Sequence, residues 1–191
     1  MASRVTHSKR LEKTVVLIGM MGAGKTAVGK ALANLLDAPF RDSDTAVEEA
    51  ANMTIAEIFE RDGEAFFRDR EAEIVARLMN ARPAGILSTG GGAFLNPATR
   101  DAISHAGVAV WLKADLDLLW ERVRHKDTRP LLRTVEPRAT LAKLMEDREP
   151  AYAHAGMTVE AEADLSIAQM ASKVLSALEA ERPDILEKSR V

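Results

Sequence analysis

The sequence contains no cysteine, which removes disulfides, thiol nucleophiles and thiolate metal sites together and agrees with a cytoplasmic location. Aromatic residues are scarce at 4%. The two tryptophans, Trp111 and Trp120, fall on a strand core and a helix face, without the basic and aromatic interleaving of a base-stacking surface. Positive charge is not in excess either. A net charge of -3 gives no general attraction to nucleic acid or to an anionic membrane. No apolar run approaches the roughly 20 residues that span a bilayer. The basic first dozen residues, with Arg4, His7, Lys9 and Arg10, lack the apolar segment of a secretory signal. His7, His105, His125 and His154 lack metal-ligand spacing. A length of 191 residues suits one domain, or one domain with lobes, with nucleic acid and membrane not expected as partners.

The most informative stretch is Gly19-Met20-Met21-Gly22-Ala23-Gly24-Lys25-Thr26, a complete phosphate-binding loop. It lies between the apolar run Thr14–Ile18 and an amphipathic segment from Ala27, in which Val28, Ala31, Leu32, Leu35 and Leu36 recur at helical spacing. Strand, glycine turn and helix come in the order that the chemistry needs. Glycine lets the backbone N–H groups of Gly22, Ala23 and Gly24 converge on phosphate oxygens, and those of Lys25, Thr26 and Ala27 open the helix whose positive end favours an anion. Lys25 adds a point charge for the β- and γ-phosphates, and the Thr26 hydroxyl is placed for Mg2+.

Strands alternate with helices along the rest of the chain, which predicts a three-layer α/β fold with a parallel sheet. Strands are expected at Phe40–Asp44, Gly85–Thr89, Val108–Leu112 and, weakly, Ala163–Ile167. Thr54-Ile55-Ala56-Glu57 is a capping box for a short helix stopping near Gly63, and a longer helix should run from Glu64 to Asn80. Asn96-Pro97 opens another, Asp115 to Arg124 is a further one, and a last helix runs from Gln169 to Ala180. Two excursions interrupt the alternation, 45–80 and the proline-containing basic segment His125 to Arg138. At the carboxyl edge of a sheet these are the places for a substrate site and a lid.

Asp42 and Asp44 leave the second strand beside the phosphate loop, where one can steady Mg2+ and the other orient or deprotonate an acceptor hydroxyl. The alternative is a turn with Asp44 as helix cap. Gly90-Gly91-Gly92, at the exit of the third strand, lets a ligand approach backbone N–H groups directly. Arg68 and Arg148, taken singly, fit a solvated or salt-bridged arginine better than a ligand. Arg129, in Arg129-Pro130-Leu131-Leu132-Arg133, could swing from the lid over a γ-phosphate.

As an ordered set these pieces resemble shikimate kinase: the loop from Leu17 to Thr26, Asp42-Ser43-Asp44, Phe67-Arg68 with Glu71, Thr89-Gly90-Gly91-Gly92, Arg129-Pro130-Leu131-Leu132, and Arg148 with Tyr152. The resemblance spans Val15 to Tyr152. It implies a P-loop kinase fold of the nucleoside-monophosphate-kinase type, a five-stranded parallel sheet flanked by helices. It also implies transfer of the ATP γ-phosphate to the 3-hydroxyl of shikimate, in aromatic amino acid biosynthesis. Thr26 and, through water, Asp42 would then hold magnesium, and Asp44 would bind the shikimate hydroxyls and act as base. Arg68 and Arg148 would clamp the shikimate carboxylate, with Gly90, Gly91 and Gly92 lining the same site. Lys25 and Arg129 would serve the transferring phosphate, and Arg122 would pack against adenine.

The expected organisation is a single domain, 1–191, working as a monomer. It comprises a basic arm (1–12), a nucleotide-binding core (13–44, 81–122 and 139–180), a substrate-binding helical region (45–80), a lid (123–138) and a C-terminal tail (181–191). A P-loop GTPase is excluded, because the chain has neither an N-K-x-D nor a D-x-x-G motif in the required places. A gluconate-type sugar-acid kinase would share the phosphate loop and a carboxylate clamp, and a non-catalytic kinase-like module would share only the fold.

Overall fold

Thr14–Ile18 forms β1, whose residues are all buried, as the continuous apolar run of a strand covered on both faces requires. In the computed structural model, which describes residues 10–125 and 130–187, β1 is the centre of a five-stranded sheet. It pairs in parallel with β3 (Ile86–Ser88) and β4 (Gly107–Lys113). Then β2 (Phe40–Asp42) joins β3, and β5 (Met157–Glu160) joins β4, again in parallel, so the order is β2-β3-β1-β4-β5.

Parallel pairing needs crossovers, and the helices provide them. Helix α1 (Lys25–Leu35) packs on α7 (Ile167–Glu181), and α3 (Ile55–Met79) packs on α4 (Pro97–Ala106). Helices α5 (Leu116–Val123) and α6 (Pro137–Tyr152) also touch. The main core gathers Leu17, Ile18, Leu32, Ile86, Leu112 and Leu119. A second, smaller cluster of Val47, Ile58, Phe67 and Ile74 lies where α2 (Ser43–Ala51) meets α3. The excursion at 45–80 contributes to both, since Val75 and Met79 near the end of α3 belong to the main core.

The Thr54 capping box is present, with the Thr54 N–H donating to Glu57 Oε2 at 2.7 Å and the Glu57 N–H donating to Thr54 Oγ1 at 3.2 Å. The expected break at Gly63 is also there: α3 continues through it, but Gly63 has φ 85° and ψ 170°, outside the helical region.

Several expectations are corrected. The last strand is Met157–Glu160, not Ala163–Ile167; Met157 and Val159 alternate into the core, whereas Ser166 is the N-cap of α7, its Oγ accepting from the Gln169 N–H at 3.2 Å. The first helix opens at Lys25 rather than Ala27, which puts the lysine and threonine of the loop in its first turn. Strand β2 ends at Asp42 rather than Asp44, and Asp44 lies in the first turn of α2. The described part of the expected C-terminal tail is packed. Ile185 and Leu186 are buried, and Leu11 forms an antiparallel bridge with Leu186, so the last of the arm and the start of the tail hold each other. Within the segment expected as a lid, Leu132 is buried in the main core while Leu131 is half exposed.

Candidate active site

The carboxyl ends of β1, β2 and β3 open onto one region, because parallel strands deliver their following loops to the same edge. After β1, Gly22 and Gly24 have φ of 85° and 93°, a left-handed conformation that side chains with a Cβ rarely adopt. Gly24 is the N-cap of α1 and no side chain caps that helix, so its first-turn N–H groups are left for an anion. The Lys25 ammonium bridges the loop, donating to the carbonyls of Gly19 at 2.8 Å and Met20 at 3.0 Å. Arg122 closes the loop from α5, donating to the carbonyls of Gly22 and Ala23 at 3.2 and 3.4 Å.

Three oxygens converge beside the lysine. The Thr26 hydroxyl donates to Asp42 Oδ2 at 3.4 Å and lies 3.5 Å from Ser88 Oγ. The other Asp42 oxygen caps α2, accepting from the N–H groups of Asp44 and Thr45 at 3.0 and 3.2 Å. The capping role considered for Asp44 therefore belongs to Asp42, and the Asp44 carboxyl is left to face the cavity. Among the described residues, no group of three or more His, Asp or Glu could cage a metal. Hydroxyl and carboxylate oxygens beside a phosphate loop suit Mg2+, which takes one or two protein ligands and fills the rest with water and phosphate.

Two cavities meet here. One, of about 440 Å³, is lined by the phosphate loop, Asp42, Ser88 and Arg122, and continues to Leu165, Ile167 and Met170. The other, of about 820 Å³, is lined by Arg68, Glu71, Arg148 and Gly92, by Phe59 and Phe67, and by Leu131 and Arg133 from the 123–138 segment. Met21, Asp44, Gly90 and Gly91 line both, so a group held in the second cavity can reach a phosphate held in the first. Asp44 stands at the junction. Burial pushes its carboxyl above the ordinary aspartate value, and the neighbouring Asp42 pushes the same way against the opposing pull of Lys25 and Arg68.

In the second cavity Arg68 Nη1 donates to Glu71 Oε2 at 2.6 Å, and Glu71 is almost wholly buried. Its other oxygen, Oε1, has no hydrogen-bond partner, and burial raises the Glu71 carboxyl despite Arg68. Arg148 is buried as well, on the last turns of α6. Tyr152, one turn on, donates its hydroxyl to the Gly91 carbonyl at 2.5 Å and packs against Trp111, ring centroids 5.7 Å apart. A raised Tyr152 hydroxyl, held up by burial, is fixed as a donor there.

Nearly every expected site residue thus falls on these two cavities: Gly22 to Ala27, Asp42, Asp44, Gly90, Gly91 and Arg122 on the first, Arg68, Gly92 and Arg148 on the second. Arg129 lies outside the described residues. No role in the site was assigned from sequence to Ser88, Glu71, Tyr152 or Arg133. Ser88 could have been found from strand register, as the parallel partner of Asp42, and Glu71 from its i+3 spacing to Arg68. Tyr152 and Arg133 carried no local signal for their contacts.

The shikimate kinase family profile matches residues 21–179. The chain belongs to the shikimate kinase family. It is 63% identical over 179 residues to a shikimate kinase of Ruegeria pomeroyi, covering 94% of this chain and 91% of that one. Identity to the shikimate kinase of Cereibacter sphaeroides is 60%, over 93% and 88% of the two chains. Among solved structures, the shikimate kinase from Acinetobacter baumannii in complex with shikimate superposes with a TM-score of 0.83 at 34% identity, covering 89% of this chain and 94% of that one. The family makes the chain an ATP-dependent kinase on the shikimate pathway, and the P-loop kinase fold expected from sequence is the one observed. No described helix is long and apolar enough to cross a membrane.

Proposed function

We propose that the chain transfers the γ-phosphoryl group of ATP to the 3-hydroxyl of shikimate, giving shikimate 3-phosphate and ADP. The observation that carries this is the junction: one carboxyl, Asp44, lines both a phosphate-loop cavity and a second cavity lined by Arg68, Arg133 and Arg148.

ATP lies along the first cavity, its phosphates on the N–H groups of the loop and its base toward Arg122, Leu165, Ile167 and Met170. Lys25 leaves its loop carbonyls for the β- and γ-phosphates, exchanging neutral acceptors for charged ones. Thr26 and Asp42 would hold Mg2+, which neutralises charge on the phosphates when bound. In the second cavity Arg68 and Arg148 take the shikimate carboxylate, a planar acceptor that suits guanidinium forks. With the carboxylate so held, the ring hydroxyls reach Asp44, which orients the attacking oxygen and takes its proton. A carboxyl raised by burial is a stronger base than an exposed one, which suits this role. Phosphoryl transfer asks chiefly for positioning and charge neutralisation, and Arg129 from the 123–138 segment would complete the second. All these residues come from one chain, and we propose a monomer as the working unit, with 45–80 as substrate-binding region and 123–138 as lid.

A coupled assay of ADP release over shikimate, gluconate and nucleoside monophosphates tests the reading. Turnover with shikimate at least a hundred times that with the others is expected. Preference for gluconate, or none at all, would replace it with a sugar-acid kinase or a non-catalytic module.

A further inference from the structure

The three glycines after β3 are not there for backbone freedom. None of them has a positive φ, and Gly92 sits at φ -95° and ψ -15°, where alanine is at home. What an added Cβ would meet is different at each position and is charged every time. At Gly92 it would lie 2.5–2.6 Å from Nη2, Cζ and Nη1 of Arg68. At Gly91 it would lie 2.8 Å from Arg148 Nη1. At Gly90 it would lie 2.7 Å from Asp44 Oδ1 and 3.0 Å from Glu71 Oε1. Carbon and nitrogen or oxygen in contact need roughly 3.5 Å, so each overlap must be relieved by movement. The charged groups are side-chain ends, whereas the glycine backbone is held: Gly91 by the Tyr152 hydroxyl, and Gly90 through its N–H to Ser43 Oγ at 3.4 Å.

We infer that Gly90, Gly91 and Gly92 are positioning residues that leave the space in which charged groups of the acceptor site are seated: Asp44 and Glu71 at Gly90, Arg148 at Gly91 and Arg68 at Gly92. This rests on the proposed acceptor reading and deepens it. Their role goes beyond offering N–H groups to a ligand, because an alanine keeps its N–H and would still displace the charge. The consequence differs by position. A methyl at Gly92 or Gly91 loosens the grip on the acceptor's carboxylate, and a methyl at Gly90 moves the group at the reacting hydroxyl.

Double-mutant cycles read this directly. Gly92→Ala should raise the shikimate KM about tenfold or more, the usual effect of losing a charge-assisted hydrogen bond, with the ATP KM within twofold. In an Arg68→Ala background the same change should add less than twofold, and in an Arg148→Ala background it should act in full. Gly90→Ala should instead lower kcat. Equal effects of Gly92→Ala in both backgrounds, or an unchanged KM, overturn the inference. If Arg68→Ala itself leaves the shikimate KM unchanged, the acceptor reading has failed, and a crystal structure of Gly92→Ala still decides the spacing role. An Arg68 guanidinium swung away from Glu71 is expected there, and an Arg68 in place above a shifted loop overturns it. Should Gly92→Ala not fold, Gly91→Ala against Arg148→Ala repeats the cycle with the same outcomes.

Discussion

The hydroxyl of Tyr152 donates to the carbonyl of Gly91 across 2.5 Å, tying the end of α6 to the loop that leaves β3. Arg148 lies one turn before that tyrosine, so the bond fixes the distance between a guanidinium and the glycine loop it faces. Tyr152→Phe removes the donor and leaves a part-buried carbonyl without it, a loss of about 1 kcal/mol. Thermal unfolding should register that loss. Steady-state kinetics should show a higher shikimate KM at an unaltered ATP KM, and unchanged stability would show that water or another group replaces the hydroxyl.

Arg68 and Arg148 both face the second cavity, and removing either should raise the shikimate KM far more than the ATP KM. Each charge-assisted contact is worth about 1.5–3 kcal/mol, or roughly 10- to 150-fold. Isothermal titration with shikimate gives the same comparison without turnover. Equal changes for both substrates would count against the clamp.

Asp44→Asn separates catalysis from stability. Transfer should fall about 100-fold or more while ATP binding persists, because an amide can still orient a hydroxyl but takes no proton from it. The parent's kcat should fall with decreasing pH along a limb set above the ordinary aspartate value, since a protonated Asp44 is no base. Stability runs the other way. A carboxyl raised by folding contributes stability fully below its unfolded pKa and loses it as pH rises through its folded pKa. Asp44→Asn should therefore melt higher than the parent at neutral pH, with the gap closing in acid. A variant less stable than the parent at neutral pH would contradict the assigned burial cost.

Asp42→Asn keeps one oxygen for capping α2 and loses the charge beside Thr26. Its signature should be a raised Mg2+ requirement, measurable as weaker Mn2+ binding to the enzyme with ADP by electron paramagnetic resonance. Unchanged Mn2+ affinity would remove Asp42 from the metal site.

Arg129→Ala and Arg129→Lys should lower kcat strongly, by about 1,000-fold if the guanidinium reaches the transferring phosphate, with shikimate binding nearly intact. Arg133→Ala is the control, since Arg133 lines the second cavity. A larger kcat loss for Arg133 than for Arg129 would exchange their roles.

The sequence by itself determined the phosphate loop, the alternation of strands and helices, and the break at Gly63, because each rests on residues near one another in the chain. A glycine at a left-handed position, a capping box or a buried strand is a local matter, legible from local spacing. It also supplied Asp42, Asp44, Arg68 and Arg148 of the candidate site, through the order of short motifs rather than through any contact, and gave no role to Glu71 or Arg133. The last strand was misplaced because Ala163–Ile167 and Met157–Glu160 are both weakly apolar, and only packing against β4 selects between them. Tertiary structure alone decided which acid caps α2 and which is left free at the junction, since that choice depends on where Asp42 and Thr26 meet. It also decided what the triple glycine faces. Arg68 and Arg148 are 80 residues apart in sequence and reach neighbouring glycines only because α3 and α6 close on the same loop. Contacts between elements distant in the chain leave no periodicity behind them, so the spacing of charges in the second cavity appears only once the sheet has brought those helices together.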